Sequence, residues 1–408
     1  MTVRQCAVLV GGLGTRLGAA TAGTPKPMLT VGDRPFLAWL LREVVRYGVT
    51  DVLLLTGHLS GVVEEGVQAL RDWLPRPVTL AISEEPVRAG TGGALFHARG
   101  HLQDSFLLLN GDSLFDCDLA QALARAEEPG VLGRLMLRRV ADASRYGVVE
   151  TSGDRVTAFR ERPEPGRPGL INGGAYRLDR RIVDRTAAVC SLERDVLPSL
   201  AREGLLRGTE SDGWFIDIGV PSDLARAQHE LPRRLARPAL FLDRDGVCNV
   251  DHGWVGTRER FEWTPGAKAA IRMAHERGWY VFIVTNQAGV ARGLYDEGAV
   301  QALHAWMQGE ALRAGGVIDD IRYCPFHPEA TVPAYRQASS WRKPAPGMIL
   351  DLLRAWQLDP ARCVLVGDRA TDLAAAAAAH VAGHLFPGGD LAAFIRPILE
   401  TYPAEHVA

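Results

Sequence analysis

Lysine and long apolar runs are scarce in this chain. Only three of the 46 basic residues are lysines (Lys26, Lys268 and Lys343), and mutational bias toward arginine is the simplest explanation. A lysine that persists under such a bias is a candidate for a position that needs a compact ammonium. No run reaches the 18 or more apolar residues of a membrane span, and Cys6–Val10 is too short for the apolar core of a signal peptide. We therefore expect a cytoplasmic protein.

Cysteine pairs and excess charge are lacking as well. The six cysteines show no CxxC spacing, which excludes a disulfide framework and a four-cysteine zinc site. With 46 basic and 48 acidic residues, the net charge is −2, so the chain lacks the basic field of a typical nucleic-acid binder. We expect small soluble ligands as partners, no nucleic acid and no membrane, with a homo-oligomer left open.

The length of 408 residues predicts two or three domains. Short apolar runs alternate with amphipathic stretches, which is typical of α/β domains with largely parallel sheets. In the first half we predict strands at Ala7–Val10, Val52–Thr56, Thr79–Ile82 and Phe106–Leu109, and helices at Pro35–Tyr47 and Ser222–Glu230. In the second half we predict strands at Ala239–Leu242, Tyr280–Thr285 and Cys363–Val366, and helices at Gly266–Arg277, Glu297–Ala314 and Asp372–Ala379.

The stretch Leu231–Pro238 separates these halves. It contains two prolines and three arginines without a clear apolar period, so we predict an interdomain linker there. The expected organisation is a domain over 1–230, a linker over 231–238 and a second domain over 239–408.

A glycine-rich segment, Gly11–Gly18, follows the first predicted strand, and Lys26 lies between two prolines soon after it. Glycines let the backbone approach a phosphate chain, while Arg16 and Lys26 supply positive charge. A glycine loop alone is weak support, because many are only turns. Two carboxylates, Asp112 after a predicted strand and Asp217 in an apolar context, could together hold Mg²⁺, although either alone is commonly a turn or capping residue.

Eight short motifs carry a resemblance over about residues 3 to 230. They are GGLGTRL, TPKPM, GTGGAL, NGD, YGVVE, FRERP, INGGAY and FIDIG. Together they resemble the sugar-1-phosphate nucleotidyltransferases, and within them the D-glycero-D-manno-heptose 1-phosphate guanylyltransferases. The resemblance implies a Rossmann-like domain with a mixed sheet, a nucleoside triphosphate substrate, GTP in this family, and Mg²⁺.

The resemblance also implies residue roles. The nucleotide-binding residues would be Gly11, Gly12, Gly14, Thr15, Arg16, Lys26, Gly90 and Asp112. The sugar-phosphate contacts would come from Gly147, Glu161, Arg162 and Asn172, and the metal ligands would be Asp112 and Asp217. Arg162 stands where the family has a lysine, and the segment before Gly90 differs from the family's Pro-Leu, which leaves the nucleobase open. In-line attack by a sugar-phosphate oxygen on the α-phosphorus would release pyrophosphate, with Arg16 and Lys26 neutralising charge.

Polar clusters in the second half follow predicted strands or lie in loops after them. Asp243 and Asp245 end one strand, Thr285 ends the next, and Gly367-Asp368 ends another, with Asp372 beyond. A DxD pair alone is usually a solvated turn, but carboxylates spaced i, i+2 can serve as nucleophile and general acid/base. Carboxyl ends of parallel strands share one sheet edge, so these clusters predict a single site.

Four segments carry a second resemblance, over roughly residues 238 to 390. They are Phe241–Val255, Thr285–Gly293, Tyr323–Glu329 and Arg342–Met348. They resemble the haloacid dehalogenase phosphatases, and within them the D-glycero-D-manno-heptose 1,7-bisphosphate 7-phosphatases. The resemblance implies a Rossmannoid domain with a minimal cap, because the stretch after the first motif is too short for a large one.

By this resemblance, Asp243 would attack phosphorus, Asp245 would act as general acid and base, and Thr285 and Lys343 would hold the phosphoryl group. The Mg²⁺ ligands would be Asp243, Asp245 through its carbonyl, and Asp368. The rest of the substrate would be read by Asp251, His252, Gly253, Trp254, Asn286, Arg342 and Arg369. Cys324 and His327 match half of a zinc site found in relatives, but Ser339-Ser340-Trp341 replaces the second cysteine pair, so no zinc is expected.

The leading hypothesis is therefore a bifunctional enzyme that removes the 7-phosphate of heptose bisphosphate and activates the heptose 1-phosphate as a nucleotide sugar. One alternative keeps both chemistries on another sugar phosphate or nucleotide. Another makes one domain an inactive regulatory module. Among the lysines, Lys26 and Lys343 fall in the two sites, whereas Lys268 is predicted to be a plain surface residue.

Overall fold

The computed structural model describes residues 3–12, 14–124, 127–160 and 162–401. The chain forms two compact units that divide between Pro232 and Arg233. Within the described residues, none of the helices has the length and apolar character needed to cross a bilayer.

The first unit is a mixed α/β structure. Its strands are β1 Gln5–Leu9, β2 Thr30–Val31, β3 Arg34–Pro35, β4 Asp51–Thr56, β5 Thr79–Glu84, β6 Ser105–Asn110, β7 Ser113–Phe115, β8 Gly133–Val140, β9 Val148–Ser152, β10 Arg155–Arg160, β11 Gly169–Asp179, β12 Leu206–Glu210 and β13 Phe215–Asp217. Its helices are α1 Phe36–Val45, α2 Ser60–Trp73, α3 Gly90–His97, α4 Leu119–Ala124, α5 Leu197–Glu203 and α6 Pro221–Leu235.

Nine of these strands form one sheet, in the order β5-β4-β1-β6-β11-β8-β12-β10-β9. The strands β5, β4, β1 and β6 are parallel, while β11 runs antiparallel to both β6 and β8. A separate antiparallel ribbon pairs β7 with β13. The apolar residues that form the core under the sheet are fully or almost fully buried, including Phe106, Leu108 and Tyr176.

The second unit is a five-stranded parallel sheet with helices on both faces. Its strands are β14 Ala239–Leu242, β15 Tyr280–Asn286, β16 Asp320–Cys324, β17 Cys363–Gly367 and β18 Ala382–Leu385, in the order β16-β15-β14-β17-β18. Its helices are α7 Ala267–Glu276, α8 Ala288–Ala291, α9 Glu297–Arg313, α10 Gly347–Ala355, α11 Ala370–Ala378 and α12 Leu391–Thr401.

Strand β14 shows why this sheet is buried on both faces. Leu240 and Leu242 point into one core cluster, and Ala239 and Phe241 point into the other. Side chains alternate between the faces of a strand, so a continuous apolar run covers both. Only a short 3₁₀ turn, Arg258–Arg260, lies between β14 and α7. The expected α/β class, mixed first sheet and minimally capped second sheet are confirmed.

The predicted linker, residues 231–238, contains the division between the two units, and its first five residues are helical. Helix α6 continues through Pro232 to Leu235, and the side chains of Leu231 and Leu235 are completely buried. These two residues are four apart and lie on one helix face, so their burial stabilises a turn that proline disfavours. Of the predicted linker, residues 236–238 alone lie outside any helix or strand.

Candidate active sites

The glycine-rich loop of the first unit follows β1 directly. The N–H of Gly11 donates to the carbonyl oxygen of Leu55 at 3.1 Å, so this N–H is already paired within the protein. Gly12 is exposed, and Gly14 is left-handed at φ 58° before a 3₁₀ turn, Thr15–Thr21, that contains the exposed Arg16. The loop therefore presents an arginine at the carboxyl edge of the sheet.

A lysine and an aspartate meet at the same edge. Lys26 Nζ lies 2.6 Å from Asp112 Oδ2, and Asp112 directly follows β6 and Gly111. Both side chains remain partly exposed, at 13% for Lys26 and 35% for Asp112, so a ligand can reach them. Two of the predicted site residues, 86 positions apart, are therefore adjacent in the fold.

Asp217 reaches this edge through the β7–β13 ribbon. It pairs in register with Ser113, and the N–H of Ile218 donates to the carbonyl oxygen of Asp112 at 3.0 Å. Burial, with the nearby charge of Asp112, raises the pKa of the Asp217 carboxyl. Two carboxylates that repel each other in a partly desolvated place are suited to a shared divalent cation. The donor set of Asp112 and Asp217 therefore fits Mg²⁺.

A bulge in β11 lies beside the ribbon that carries Asp217. The pairing of β11 with β8 shifts register between Asn172 and Tyr176. Gly174 is left-handed at φ 74°, and a Cβ there would lie 2.9 Å from Ser113 Oγ. The Asn172 amide donates to the Tyr176 hydroxyl at 2.7 Å, which fixes its side chain. The bulge thus needs glycine to bring the predicted sugar-contact residue Asn172 beside the ribbon.

Gly90 begins helix α3 in a tight contact. Its φ is 74°, and a Cβ would lie 2.7 Å from the carbonyl oxygen of Cys190. The same oxygen accepts hydrogen bonds from Gly92 N–H at 3.1 Å and Gly93 N–H at 3.2 Å. These glycines serve close packing, and the amides of Gly92 and Gly93 are already used within the protein.

Glu85 lies at the end of β5, close to the glycine loop. One carboxylate oxygen, Oε2, accepts the Ala89 N–H at 3.2 Å. The other, Oε1, faces the backbone of two glycines, because a Cβ at Gly57 or Gly11 would lie 2.4 or 3.6 Å from it. Burial raises the pKa of this carboxyl. Sequence reasoning missed Glu85, although two glutamates before Pro86 at a strand end were a visible signal.

The other predicted sugar-contact residues are Gly147, Arg162 and Glu161. Gly147 precedes β9, where a Cβ would lie 3.1 Å from the Arg160 carbonyl oxygen, and its neighbour Tyr146 stacks edge-on against Phe215 in the ribbon. Arg162 is exposed. Glu161 and the side chain of Thr15 lie outside the described residues.

Asp243, Lys343 and Asp372 form a buried triad in the second unit. Lys343 Nζ lies 2.7 Å from Asp243 Oδ1 and 2.6 Å from Asp372 Oδ1, and it donates to the Val284 carbonyl oxygen at 2.9 Å. Burial raises the pKa of Asp243 to about 7, with Lys343 opposing the shift and Asp372 adding to it. Burial lowers the pKa of Lys343, but the two carboxylates outweigh it and the net shift is upward. Lys343 is therefore a charged, rigidly held ammonium.

Asp245 is held by three neighbouring donors. Arg244 donates to both of its oxygens at 2.9 Å, the Asn249 amide donates to Oδ1 at 3.1 Å, and the Gln287 amide donates to Oδ2 at 2.9 Å. The Arg244 side chain is completely buried, so this arrangement is fixed by packing as well as by charge. Gln287 also donates to Thr285 Oγ at 2.8 Å, which links the predicted acid/base residue to the predicted phosphoryl ligand.

Three carboxylates form a candidate metal site beside the triad. In the part of the chain that the structure describes, Asp243, Asp368 and Asp372 each offer an oxygen within 4.8 Å of the other two. Asp368 Oδ1 is buried and, among the same residues, accepts no hydrogen bond. An orphaned carboxylate oxygen beside two others is the hard donor set that Mg²⁺ prefers. The residues therefore fit this ion.

The predicted metal ligands, Asp243, Asp368 and the carbonyl oxygen of Asp245, stay a prediction. The Asp245 carboxylate points toward Arg244, Asn249 and Gln287 rather than toward this cluster, and only its carbonyl remains as the predicted ligand. Asp372, to which the sequence assigned no role, lies in the same carboxylate cluster. It is in the first turn of α11, four residues after Asp368, which precedes the helix.

A cavity of about 320 Å³ opens above the triad and is lined in part by Asp251, Gly253, Trp254 and Asn286. Arg369 is also in its wall, where it pairs with Asp251 at 2.8 Å. The Asn286 side chain accepts from the Lys343 N–H at 3.0 Å and donates to the Lys343 carbonyl oxygen at 3.1 Å.

The side chains of two predicted substrate residues, Arg369 and Asn286, are thus already paired with other groups of the protein.

The other two predicted substrate residues, His252 and Arg342, contact protein groups that are not among the cavity-lining residues named above. His252 pairs with Glu262 at 2.9 Å on the surface. Arg342 donates to the Phe326 carbonyl oxygen at 3.4 Å. At the two positions that match half of the relatives' zinc site, Cys324 is buried and His327 Nδ1 accepts the Glu329 N–H at 3.0 Å.

A family model described as nucleotidyl transferase matches residues 6–234, which is more than half of the chain. The chain belongs to the nucleotidyl transferase family. A HAD-hydrolase-like family model matches residues 340–393. The predicted fusion of a nucleotidyl transferase domain with a haloacid dehalogenase-like domain is confirmed.

Curated relatives match the chain at higher identity. A D-glycero-β-D-manno-heptose-1,7-bisphosphate 7-phosphatase from Rhodopseudomonas palustris is 53% identical over 163 residues, covering 40% of this chain and 91% of the relative. Its namesake from Salmonella typhi is 41% identical over 144 residues, covering 35% and 77%. The chain therefore belongs to the family of these relatives as well. HddC from Yersinia pseudotuberculosis, a solved structure, is similar with a TM-score of 0.49 and 27% identity, covering 56% of this chain and 99% of that one.

The nucleotidyl transferase domain and the haloacid dehalogenase-like domain thus each bring their main predicted residues together. In the first, Lys26, Asp112 and Asp217 meet at the end of β6. In the second, Asp243 and Lys343 meet at the end of β14. The roles of these residues stay predictions.

Proposed function

We propose that the protein is a bifunctional enzyme of nucleotide-heptose synthesis. Its haloacid dehalogenase-like domain removes the 7-phosphate of D-glycero-D-manno-heptose 1,7-bisphosphate, and its nucleotidyl transferase domain joins a nucleotide to the resulting 1-phosphate. The observation that carries the proposal is the Asp243–Lys343–Asp372 triad at 2.6–2.7 Å in a chain that also holds the Lys26–Asp112 pair. The product of one domain is the substrate of the other.

The triad supports phosphoryl transfer to a carboxylate. Arg244 N–H and Lys343 both contact Oδ1 of Asp243, and Oδ2 is the atom left to attack phosphorus. As the Asp243–phosphorus bond forms, the bond from phosphorus to the sugar oxygen breaks, and Asp245 gives that oxygen a proton. Asp245 then takes a proton from the water that hydrolyses the aspartyl phosphate.

The other groups of this site hold the phosphate. The Thr285 hydroxyl binds a phosphoryl oxygen, and the Lys343 ammonium supplies positive charge beside it; both side chains are almost fully buried. Asp243, Asp368 and Asp372 would hold Mg²⁺, which would offset charge between the anionic nucleophile and the anionic phosphate.

The nucleotidyl transfer uses positioning and charge rather than covalent catalysis. A phosphate oxygen of the heptose 1-phosphate attacks the α-phosphorus of the nucleoside triphosphate, and pyrophosphate leaves. Arg16 and Lys26 neutralise the triphosphate, and Asp112 with Asp217 would hold Mg²⁺, which would offset the charge of the phosphates. Asn172 and Gly147 contact the sugar phosphate.

Glu85 supports guanine as the base. Its Oε1 faces the open backbone of Gly11 and Gly57, where a base would lie beside the glycine loop. Guanine presents two adjacent donors, N1–H and the N2 amino group, on the edge that a carboxylate binds. Uracil and thymine present a single N–H between two carbonyl oxygens, which a carboxylate repels. Glu85 therefore favours GTP over UTP and TTP.

The test is a coupled assay. The full chain is incubated with the heptose bisphosphate, Mg²⁺ and each of the four nucleoside triphosphates in turn, and the products are weighed by mass spectrometry. We expect GDP-heptose, inorganic phosphate and pyrophosphate with GTP. The absence of any nucleotide-heptose would refute the proposal.

A further inference from the structure

Gln287 lies between two groups of the proposed phosphatase reaction. It directly follows strand β15, and its side chain is 1% exposed. Its amide nitrogen, Nε2, donates to Asp245 Oδ2 at 2.9 Å and to Thr285 Oγ at 2.8 Å. A single buried amide therefore contacts both the proposed acid/base residue and the proposed phosphate ligand.

The Tyr295 hydroxyl determines which way this amide faces. It donates to Gln287 Oε1 at 3.0 Å. The reverse orientation of the amide would put Oε1 against the Asp245 carboxylate, which is an acceptor only. Burial raises the pKa of the Tyr295 hydroxyl, with the charge of Arg244 opposing part of the shift, so the hydroxyl keeps its proton and stays a donor.

Two glycines leave room for the Tyr295 ring. A Cβ at Gly256 or at Gly289 would overlap the ring, so the backbone approaches it more closely than other residues allow. Gly289 belongs to helix α8, which follows Gln287 directly. The tyrosine is therefore held in place by packing as well as by its hydrogen bond.

The direction of these hydrogen bonds determines what Thr285 can do. Because Gln287 donates to Thr285 Oγ, the hydroxyl hydrogen of Thr285 has to point to another acceptor. Among the residues that the structure describes, this hydroxyl has no second hydrogen-bond partner, and Thr285 lines the cavity of about 320 Å³. Its hydrogen is therefore left for an acceptor in the cavity, such as a phosphoryl oxygen.

The same amide limits the rotation of the Asp245 carboxyl. The Asn249 amide donates to Oδ1 and the Gln287 amide donates to Oδ2, so each oxygen has a donor of its own. The carboxyl cannot rotate without breaking a hydrogen bond. A fixed carboxyl delivers its proton along one line, and general acid catalysis depends on such alignment.

We infer that Gln287 is a positioning residue of the phosphatase reaction and that Tyr295 sets its orientation. Through one amide, Gln287 directs the Thr285 hydrogen to the phosphoryl group and holds Asp245 for proton transfer. The inference rests on the proposed phosphatase activity. In the step concerned, Asp243 bonds to phosphorus, the bond from phosphorus to the leaving oxygen breaks, and that oxygen takes the proton of Asp245.

The experiment compares two leaving groups. Phosphate release is measured with heptose 1,7-bisphosphate, whose sugar oxygen needs a proton to leave, and with p-nitrophenyl phosphate, whose nitrophenolate leaves without one. Gln287→Met keeps the length of the side chain and removes its donors. We expect this variant to lower kcat/KM by about 100-fold for the bisphosphate and by about 10-fold for p-nitrophenyl phosphate, because the second substrate loses only the contribution of Thr285.

Tyr295→Phe tests whether the tyrosine acts through Gln287. We expect it to lower kcat/KM for the bisphosphate by about 3- to 10-fold, as for loss of one neutral hydrogen bond, and to have no further effect in a Gln287→Met background. The matched control is Tyr280→Phe, because the Tyr280 hydroxyl donates to the Leu235 carbonyl oxygen at 3.3 Å at the other end of β15. This control should leave the ratio of the two substrates unchanged.

The outcomes separate the positioning role from a loss of folding and from the identity of the sugar. Equal losses for the two substrates in Gln287→Met overturn the role at Asp245, and a full effect of Tyr295→Phe in the Gln287→Met background overturns the role of Tyr295. Should Gln287→Met fail to fold, Gln287→Asn, whose amide is one methylene shorter, takes its place. If the wild type hydrolyses fructose 1,6-bisphosphate and not the heptose bisphosphate, the heptose assignment fails, and the ratio measured with the fructose substrate decides the inference in the same way.

Discussion

Replacement of Lys343 by arginine keeps the charge and changes only its shape, so it tests the geometry of the phosphatase site. The ammonium of Lys343 has three donors and uses them on Asp243, Asp372 and the Val284 carbonyl oxygen at 2.6–2.9 Å. These acceptors surround one nitrogen. A planar guanidinium, whose donors lie on separate nitrogens, cannot meet all three in the same space.

The magnitude follows from the lost contacts. Each hydrogen bond to a charged group contributes about 1.5–3 kcal/mol, and loss of two at the lower value gives about 3 kcal/mol, or roughly 150-fold. We therefore expect Lys343→Arg to lower kcat/KM for phosphate release by at least about 100-fold. Overpacking at this buried position adds a stability cost of about 1–3 kcal/mol, which a folded domain can tolerate.

The assay follows both activities of the same preparation. Phosphate release reports the haloacid dehalogenase-like domain, while pyrophosphate release from supplied heptose 1-phosphate reports the nucleotidyl transferase domain and should be unchanged. Lys268→Arg is the matched control, because Lys268 is 41% exposed, pairs with Glu310 at 3.5 Å and approaches the Trp263 ring, contacts that arginine can also make. Retention of phosphatase activity within about threefold in Lys343→Arg would refute the geometric argument.

Three further predictions concern other parts of the molecule. Asp243→Asn should abolish phosphate release and leave pyrophosphate release intact, and loss of both in a folded variant would contradict two independent sites. Glu85→Gln should reduce the preference for GTP over UTP by about 10-fold or more, because one acceptor becomes a donor that opposes guanine, and competition between the two nucleotides measures it. Burial, with the charge of Arg244, lowers the pKa of His304 well below its ordinary value. His304 stays neutral in the folded state while the unfolded state binds a proton below about pH 6.5, so stability is lost as pH falls, by about 2 kcal/mol at pH 5. Urea unfolding at pH 7 and pH 5 should show this loss in the wild type, and an equal loss in His304→Gln would exclude His304 as its source.

Residues at strand ends were the most predictable part of the sites. Asp112, Asp243 and Thr285 each follow or end a short apolar run, and parallel strands bring such ends to one edge whatever the helices between them do. The strands themselves could be predicted because an apolar run such as Ala239–Leu242 is buried on both faces.

Residues whose role depends on neighbours could not be predicted. Asp372 contributes to the triad because the first turn of α11 faces the sheet edge, and Gln287 because its amide reaches both Asp245 and Thr285. Glu85 could have been noticed from the two glutamates before Pro86, but its hydrogen bond to Ala89 has no signature in the sequence. The helical turn through Pro232 in the predicted linker was not predicted, since burial of Leu231 and Leu235 is a property of packing. Lys268 also has more contacts than a plain surface residue.

The β7–β13 ribbon also bears on when, during synthesis, the carboxylate pair of the nucleotidyl transferase domain can form. Asp112 is synthesised early, whereas Asp217 lies on β13, the last strand of the domain. The N–H of the next residue, Ile218, donates to the carbonyl oxygen of Asp112. During synthesis, domains fold as units from the amino end. A nascent chain that ends before β13 contains every strand of the large sheet and has no carboxylate pair. On the proposed role of this pair, nucleotidyl transfer would require that the sequence of the domain be nearly complete.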